Sequence, residues 1–368
     1  MKHSRIAASI AAALAGALAA GSASAQSTVG LYGRANVTVE SQKLTGVDRT
    51  NAVQNNASRW GMRGSEDLGS GLKAFFQLES GFNVDTGVAT NNFGQGASGS
   101  IFNRESFVGV SGGFGQIRLG RITSPLYFAS ADYISMHNHD TGTSSDGLFA
   151  FGATGVNNNN SVAYKTPSFG GMDVEVAYSF AAGFFPNNAA AFVEQPGSRN
   201  QTNLQVAFNG QWGMFHLGGG FAQMTDKSGL SLATPVPQTK NKTAVIRGLV
   251  ELGAFTLGAY YERSTLAFAS GTPLVVTDRD RNNYRLSGMY ALGNNEFHLN
   301  YGMAGDFSGL TDSGATQWTV GYNYNLSKRT KVYAFYTELD EDARGNFYLG
   351  ASSGAKFSSL AAGLRHNF

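Results

Sequence analysis

The strongest constraint in this 368-residue chain is a two-residue alternation held over segments of about ten residues. In "TVGLYGRANVTVE", Val29, Leu31, Ala35, Val37 and Val39 share one face, and Arg34, Asn36, Thr38 and Glu40 share the other. In "GLKAFFQLESGF", Leu72, Ala74, Phe76, Leu78 and Phe82 oppose Lys73, Gln77 and Glu79. "TAVIRGLVELG" sets Ala244, Ile246, Val250 and Leu252 against Arg247 and Glu251, and "TQWTVGYNYNL" sets Trp318, Val320, Tyr322, Tyr324 and Leu326 against Gln317, Thr319, Asn323 and Asn325. No charge falls on the apolar parity of these four strands. A soluble sandwich or solenoid would use strands of about five or six residues. Strands of about ten residues suit a tilted crossing of a bilayer.

The connections sort into two sets. Short ones fall near Glu66–Gly71, Ser111–Gly115, Thr166–Gly171, Asn209–Gly213, Gly253–Ala254, Gly293–Asn295 and Ser327–Lys328. Long polar ones fall near 41–57, 84–101, 122–160, 182–201, 225–242, 267–282, 305–314 and 340–356. Seven short turns and eight long loops join sixteen strands, which predicts an all-β, closed, antiparallel transmembrane barrel. A weak repeat, "FHLGGGF", "FTLGAYY" and "FHLNYGM", follows three of the short turns. Phe114, Phe169, Trp212, Phe215, Phe255 and Phe297 lie close to short turns and read as one interfacial girdle. The terminal "LAAGLRHNF" alternates too, so Phe368 joins that ring and the last strand pairs with the first. An open edge in lipid would strand backbone groups at a cost of roughly several kcal/mol each.

Residues 1–25 differ from the rest. Lys2 and Arg5 precede an apolar run from Ile6 to Ala20 and a small-residue site at Ala23-Ser24-Ala25. That pattern is expected of a cleaved secretory signal peptide, leaving residues 26–368 as the barrel. Removing its two basic residues leaves 25 basic against 25 acidic, so a nucleic-acid partner has no electrostatic support. With no cysteine, disulfides and thiolate metal sites are excluded.

The chain resembles the general porins of the Gram-negative outer membrane, and most of all the trimeric 16-stranded porins of β-proteobacteria. The residues carrying this are "VGLYGRANV", "SRWGMRGSEDLGSGLKAFFQLE" at 58–79, "RESFVGVSGGFGQIRLGR" at 104–121, "NSVAYKTPSFGG" at 160–171 and the terminal "GLRHNF". The resemblance implies an outer-membrane homotrimer, a third loop folded into the lumen, and a Phe368 read by the barrel-insertion machinery. The inward loop would run from about Ile122 to Asn160, an unusual length that itself points to function. Between Arg121 and Lys165 it holds no Lys or Arg, but it holds Asp132, Asp140 and Asp146. Arg34, Arg59, Arg63, Arg104 and Arg118 occupy polar-face or strand-end positions of the early wall. An acidic loop facing a basic wall sets up a transverse field that sorts ions by sign. Arg59 and Arg104 match the family's constriction arginines by motif position. Where relatives often place another basic residue after the loop, this chain reads "NNNN" at Asn157–Asn160, which weakens the basic cluster.

Rival signals are weaker. "HNHD" at His137–Asp140 is a lone His-x-His in a loop, short of a metal ligand set. "GVSGG" at Gly109–Gly113 fits a nucleophile pattern only at a strand-to-helix turn, whereas here it begins a hairpin. His216, His298 and His366 fall near the short-turn ends of strands and make no catalytic set. Tyr127, Phe128, Tyr133, Phe149 and Phe151 either stack sugars or pack the loop on the wall.

The expected function is passive diffusion of ions and small hydrophilic solutes through a water-filled outer-membrane channel, with no cofactor and no covalent chemistry. Arg34, Arg59, Arg104 and Arg118 would face Asp132, Asp140 and Asp146 across a constriction, giving a mild anion preference. A substrate-specific channel for an organic acid or sugar is the alternative, and a loop-mediated adhesin or receptor is a third class. N-terminal sequencing of protein extracted from outer membranes should begin at Gln26; a start at Met1 would exclude cleavage after Ala25.

Overall fold

Along the first strand the solvent accessibility is inside out: Val29, Leu31 and Val39 are 68%, 66% and 64% exposed, while Arg34, Asn36, Thr38 and Glu40 are nearly inaccessible. The polar face therefore lines an interior and the apolar face is the outside, as a lipid-facing barrel requires. The computed structural model describes residues 28–89, 101–134, 147–148, 156–180, 201–226, 238–270, 275–347 and 353–368. Residues 1–25, His137–Asp140, Asp146, Phe149 and Phe151 lie outside these.

The wall starts with β1 (Thr28–Leu44), β2 (Thr50–Asn55), β3 (Arg59–Gly69), β4 (Leu72–Gly81), β5 (Ser106–Gly112) and β6 (Gly115–Thr123). Two short helices follow, α1 (Pro125–Ala129) and α2 (Ala131–Ile134). The wall resumes with β7 (Asn157–Lys165), β8 (Met172–Ser179), β9 (Gln201–Trp212), β10 (Phe215–Asp226) and β11 (Thr239–Leu252). It ends with β12 (Phe255–Ser270), β13 (Val275–Leu292), β14 (Asn295–Ala304), β15 (Ala315–Asn325), β16 (Thr330–Glu341) and β17 (Lys356–Asn367). Each strand pairs antiparallel with its neighbour. β2 and β3 are one crossing, broken at Asn56–Ser58, because both pair with β1. The barrel thus has sixteen crossings.

Closure runs from Arg34 opposite Asn367 to Leu44 opposite Phe357. Below that ladder the Phe368 N–H donates to Gly33 O (3.0 Å) and the Gly33 N–H donates to Phe368 O (3.1 Å). The Phe368 ring lies over Gly33, where any Cβ would collide with it. Inside the barrel the seam is sealed by side chains. Tyr333 lies across Gly363, which has no side chain to obstruct it, and donates from its hydroxyl to Asn36 Oδ1 (2.7 Å). Asn56 Nδ2 donates to the same hydroxyl (3.0 Å) and to Thr38 Oγ1 (2.8 Å). The break in the second crossing is filled by this network, since Asn36 and Ser58 exchange hydrogen bonds across it. Ala57 takes a left-handed φ of 57° at the break, an unusual conformation for a residue with a side chain.

The girdle residues Phe114, Phe169, Trp212, Phe215, Phe255, Phe297 and Phe368 are all exposed on the outside. Phe255, Tyr290, Phe297 and Tyr322 form a continuous row, with successive ring centroids 4.6, 6.4 and 5.3 Å apart. Such rows suit a headgroup boundary, apolar at one end and wet at the other. Three expected loops are shorter than expected. The 41–57 segment is mostly hairpin, with only 45–49 and the break at 56–57 outside strands; β10 and β11 extend to Asp226 and from Thr239; and β12 and β13 extend to Ser270 and from Val275. Polar composition suggested loop there, but a ladder can continue above the membrane with water on both faces.

Tyr333→Phe removes two buried hydrogen bonds at the seam and is expected to cost about 1–3 kcal/mol. Denaturant unfolding of the refolded barrel should show the loss.

Candidate pore constriction

The third loop leaves the wall at a bulge between Gly120 and Ile122 and turns inward at once. Ser124 caps α1 by accepting from the Tyr127 N–H (3.1 Å), and Pro125 suits the first helical turn, where no N–H partner is needed. Ser124 also hydrogen-bonds Gln205 on the inner face of β9, and its N–H donates to Val156 O (2.7 Å), which joins the two legs of the loop. Leu126, Tyr127, Ala131 and Ile134 then pack on Ala222, Val245 and Tyr260, an apolar patch on the inner faces of β10, β11 and β12.

One arginine fixes the helices. Arg247 on β11 donates from Nε to Ala129 O (2.9 Å) and from Nη2 to Asn209 Oδ1 (2.7 Å), and its guanidinium lies 3.5 Å from the Tyr133 ring centroid. Gly218 makes this possible, because a Cβ there would occupy the guanidinium's place. The Tyr133 hydroxyl hydrogen-bonds His216 Nδ1, and Ser287 Oγ donates to Ile134 O (2.7 Å). Further along the loop, the Gly147 N–H donates to Gln317 Oε1 (3.0 Å), and Leu148 packs with Ala304, Ala315 and Leu339. The described parts of the loop thus lie against the inner wall from β9 round to β16. Tyr127 is buried and Tyr133 is under Arg247, so these two aromatics hold the loop; Phe128 is 41% exposed.

β1 and β3 lie eight crossings from β10 and β11, which puts them diametrically opposite the helices. There Arg34 and Arg59 are cross-strand partners on the inner face, and Arg34 Nη2 donates to Ala57 O (3.2 Å). Arg104, just ahead of β5, forms an ion pair with Glu79, which also accepts from the Tyr32 hydroxyl (3.0 Å). Glu105 accepts from the Thr123 N–H (3.2 Å) and from Gln77 (2.5 Å), tying the loop's departure point to the wall. Asp132 is exposed on α2. Arg34 and Arg59 thus face each other on the early wall, with Arg104 on the same wall, across the barrel from the helix that carries Asp132. Arg118 lies apart, toward the short turns, in an ion pair with Glu175 and with its guanidinium 5.2 Å from the Phe107 centroid.

Three inward arginines on the later wall, Arg247, Arg281 and Arg285, were absent from the expected constriction set. Arg281 sits 3.5 Å from the Phe307 centroid and 4.6 Å from that of Phe347, and donates to Ser313 O (2.7 Å). Alternation in "RNNYRLS" marks Arg281, Asn283, Arg285 and Ser287 as one face, a signal hidden where 267–282 is read as loop. The serine of "GVSGG" is on β5, and Gly109 is where the Phe75 ring lies flat against the sheet, so the motif is accounted for by packing.

A closed barrel with an apolar outside, a polar inside and the described parts of its third loop set against the inner wall is the architecture of a membrane diffusion channel. The sequence pattern of the Gram-negative porin family matches residues 8–344, and the chain belongs to that family. It is 31% identical to outer membrane porin protein 32 of Delftia acidovorans, covering 95% of this chain and 96% of the relative. An outer membrane porin of Bordetella pertussis is 28% identical over 86% of this chain and 84% of its own length. Among solved structures, the anion-selective porin from Comamonas acidovorans superposes with a TM-score of 0.70 at 25% identity, covering 93% of this chain and 100% of that one. The protein is a non-enzymatic porin of the outer membrane that passes ions and small hydrophilic solutes by passive diffusion.

Arg247→Met removes the hydrogen bond to Ala129 O and the charge over Tyr133, weakening loop anchoring by about 1.5–3 kcal/mol. Amide exchange in α1 and α2 should accelerate at least about tenfold, with the exchange of the β-ladders unchanged.

Proposed function

We propose that the channel is mildly anion-selective and that Arg34, Arg59 and Arg104 form the positive side of its constriction, with Asp132, Asp140 and Asp146 on the negative side. Arg104 and Arg118 contribute less than Arg34 and Arg59, because Glu79 and Glu175 are paired with them. The observation that carries the anion preference is how the other inward cations are held. Arg63, Arg247 and Arg281 rest on the rings of Tyr32, Tyr133 and Phe307, at 5.0, 3.5 and 3.5 Å, and none has a carboxylate within ion-pair distance among the described residues. A cation held by a ring keeps more of its field than one in contact with a carboxylate.

The working form is a homotrimer, inserted through recognition of Phe368 after loss of residues 1–25. Self-association is supported by a smooth outer face on β1 and β17, where Ala35, Val37, Val39, Leu360, Ala362 and Leu364 present only small or aliphatic side chains. Phe368 is suited to recognition because its ring is displayed on the outside at the chain end.

Single-channel recording of the refolded protein across a tenfold KCl gradient tests this reading. Large ohmic conductance closing in three steps, with a reversal potential displaced toward chloride, is expected. Arg247→Gln should move that potential toward zero. A potential on the cation side excludes the anion preference, and small currents blocked by a single solute would mark a substrate-specific channel instead.

A further inference from the structure

Toward the short-turn end, away from the loop helices, the early wall contains a cavity of about 530 Å3. Its inward lining includes Arg63, Phe75, Gln77, Phe107, Gln116 and Arg118. The volume falls in the range of small-molecule sites, and the lining combines apolar rings with a few polar groups.

The chemistry of the lining is specific. Arg63 is exposed, and Tyr32 supports it from one side while Glu79 holds the Tyr32 hydroxyl. The guanidinium is thus positioned without being neutralised. Arg118 is already satisfied by Glu175, so the cavity offers one available positive charge beside one buried acid–base pair. A monoanion fits that balance, and a dianion would meet repulsion from Glu175. Next to the charge, Phe75 is half-buried and backed edge-on by Phe107, with ring centroids 6.1 Å apart. Gly109 lets the Phe75 ring lie flat toward β6, since a Cβ there would strike it. A water-filled lumen gains nothing by wetting a phenylalanine; a ring beside a fixed guanidinium matches a flat apolar body carrying one carboxylate.

We propose that this cavity is a subsite, at the periplasmic end of the lumen, for a small aromatic monocarboxylate. Arg63 takes the carboxylate and Phe75 takes the ring. The assignment rests on the porin reading, since the ligand reaches the cavity through the lumen.

Saturation-transfer NMR on the refolded protein, with benzoate, acetate and benzyl alcohol as probes, tests it. Benzoate should bind saturably at about millimolar affinity. Acetate, which lacks the ring, and benzyl alcohol, which lacks the charge, should each bind about fivefold or more weakly by comparison. Arg63→Gln and Phe75→Leu should each weaken benzoate by a similar factor. Arg63 is exposed and makes no ion pair with the described residues, so Arg63→Gln decides the matter if Phe75→Leu does not refold. Equal binding of benzoate and acetate, or unchanged benzoate affinity in Arg63→Gln, overturns the subsite. Conductance in KCl is recorded on the same preparation: an open pore without benzoate binding removes the subsite alone, and a closed pore removes the open-channel reading on which the subsite rests.

Discussion

A peptide group in hydrocarbon has no water to bond, so every amide in the membrane-spanning wall must find its partner in a neighbouring strand. Here that requirement is met by bringing the two ends of the chain together. Arg34–Leu44 of β1 runs along Phe357–Asn367 of β17, and the ladder finishes with the reciprocal bonds between Gly33 and Phe368. The rest of the structure depends on this closure. It turns the apolar faces outward, leaves the polar faces as the wall of an enclosed space, and gives the third loop an interior to enter. The seam carries extra support, because Tyr333 spans β17 above Gly363 to reach Asn36 and Asn56.

Within that interior the protein holds its arginines in two ways. Arg104 and Arg118 are paired with Glu79 and Glu175, which fixes their geometry but cancels their charge at a distance. Arg63, Arg247 and Arg281 lie against aromatic rings and have no carboxylate within ion-pair distance among the described residues. The two arrangements differ in what a passing ion experiences. A paired arginine is a local dipole whose field falls off steeply, while a cation without a contacting carboxylate has a longer-ranged one. A count of basic residues along the sequence does not distinguish them.

Features set by neighbouring residues were legible in the sequence. Alternation identified which faces are lipid-facing, and the aromatics next to the short turns marked one membrane boundary, because both patterns are confined to single strands. Arg59 and Arg104 were marked by motif position and Arg34 by strand parity, and the register sets Arg34 opposite Arg59. What escaped depends on residues far apart in the chain. The ion pair of Arg118 and Glu175 joins positions 57 residues apart across an intervening strand. The role of Arg247 needs Gly218, Tyr133 and Ala129, contributed by a neighbouring strand and two loop helices. The break at Asn56–Ser58 is a compensation among side chains of two strands, and the extra-membrane parts of β12 and β13 look like loop because water wets both faces. His137–Asp140 and the acidic residues Asp140 and Asp146 belong to loop residues the structure does not describe.

Three of the bonds that hold the loop go to its main chain: Arg247 bonds the carbonyl of Ala129, Ser287 bonds the carbonyl of Ile134, and Gln317 bonds the amide of Gly147. A carbonyl or an amide is the same whatever side chain accompanies it. Substitutions at exposed loop positions such as Phe128 and Asp132 therefore leave these bonds intact. The loop can be re-lettered on its water side while its course through the barrel is inherited unchanged, so permeation can diversify by single substitutions without the fold having to be reinvented.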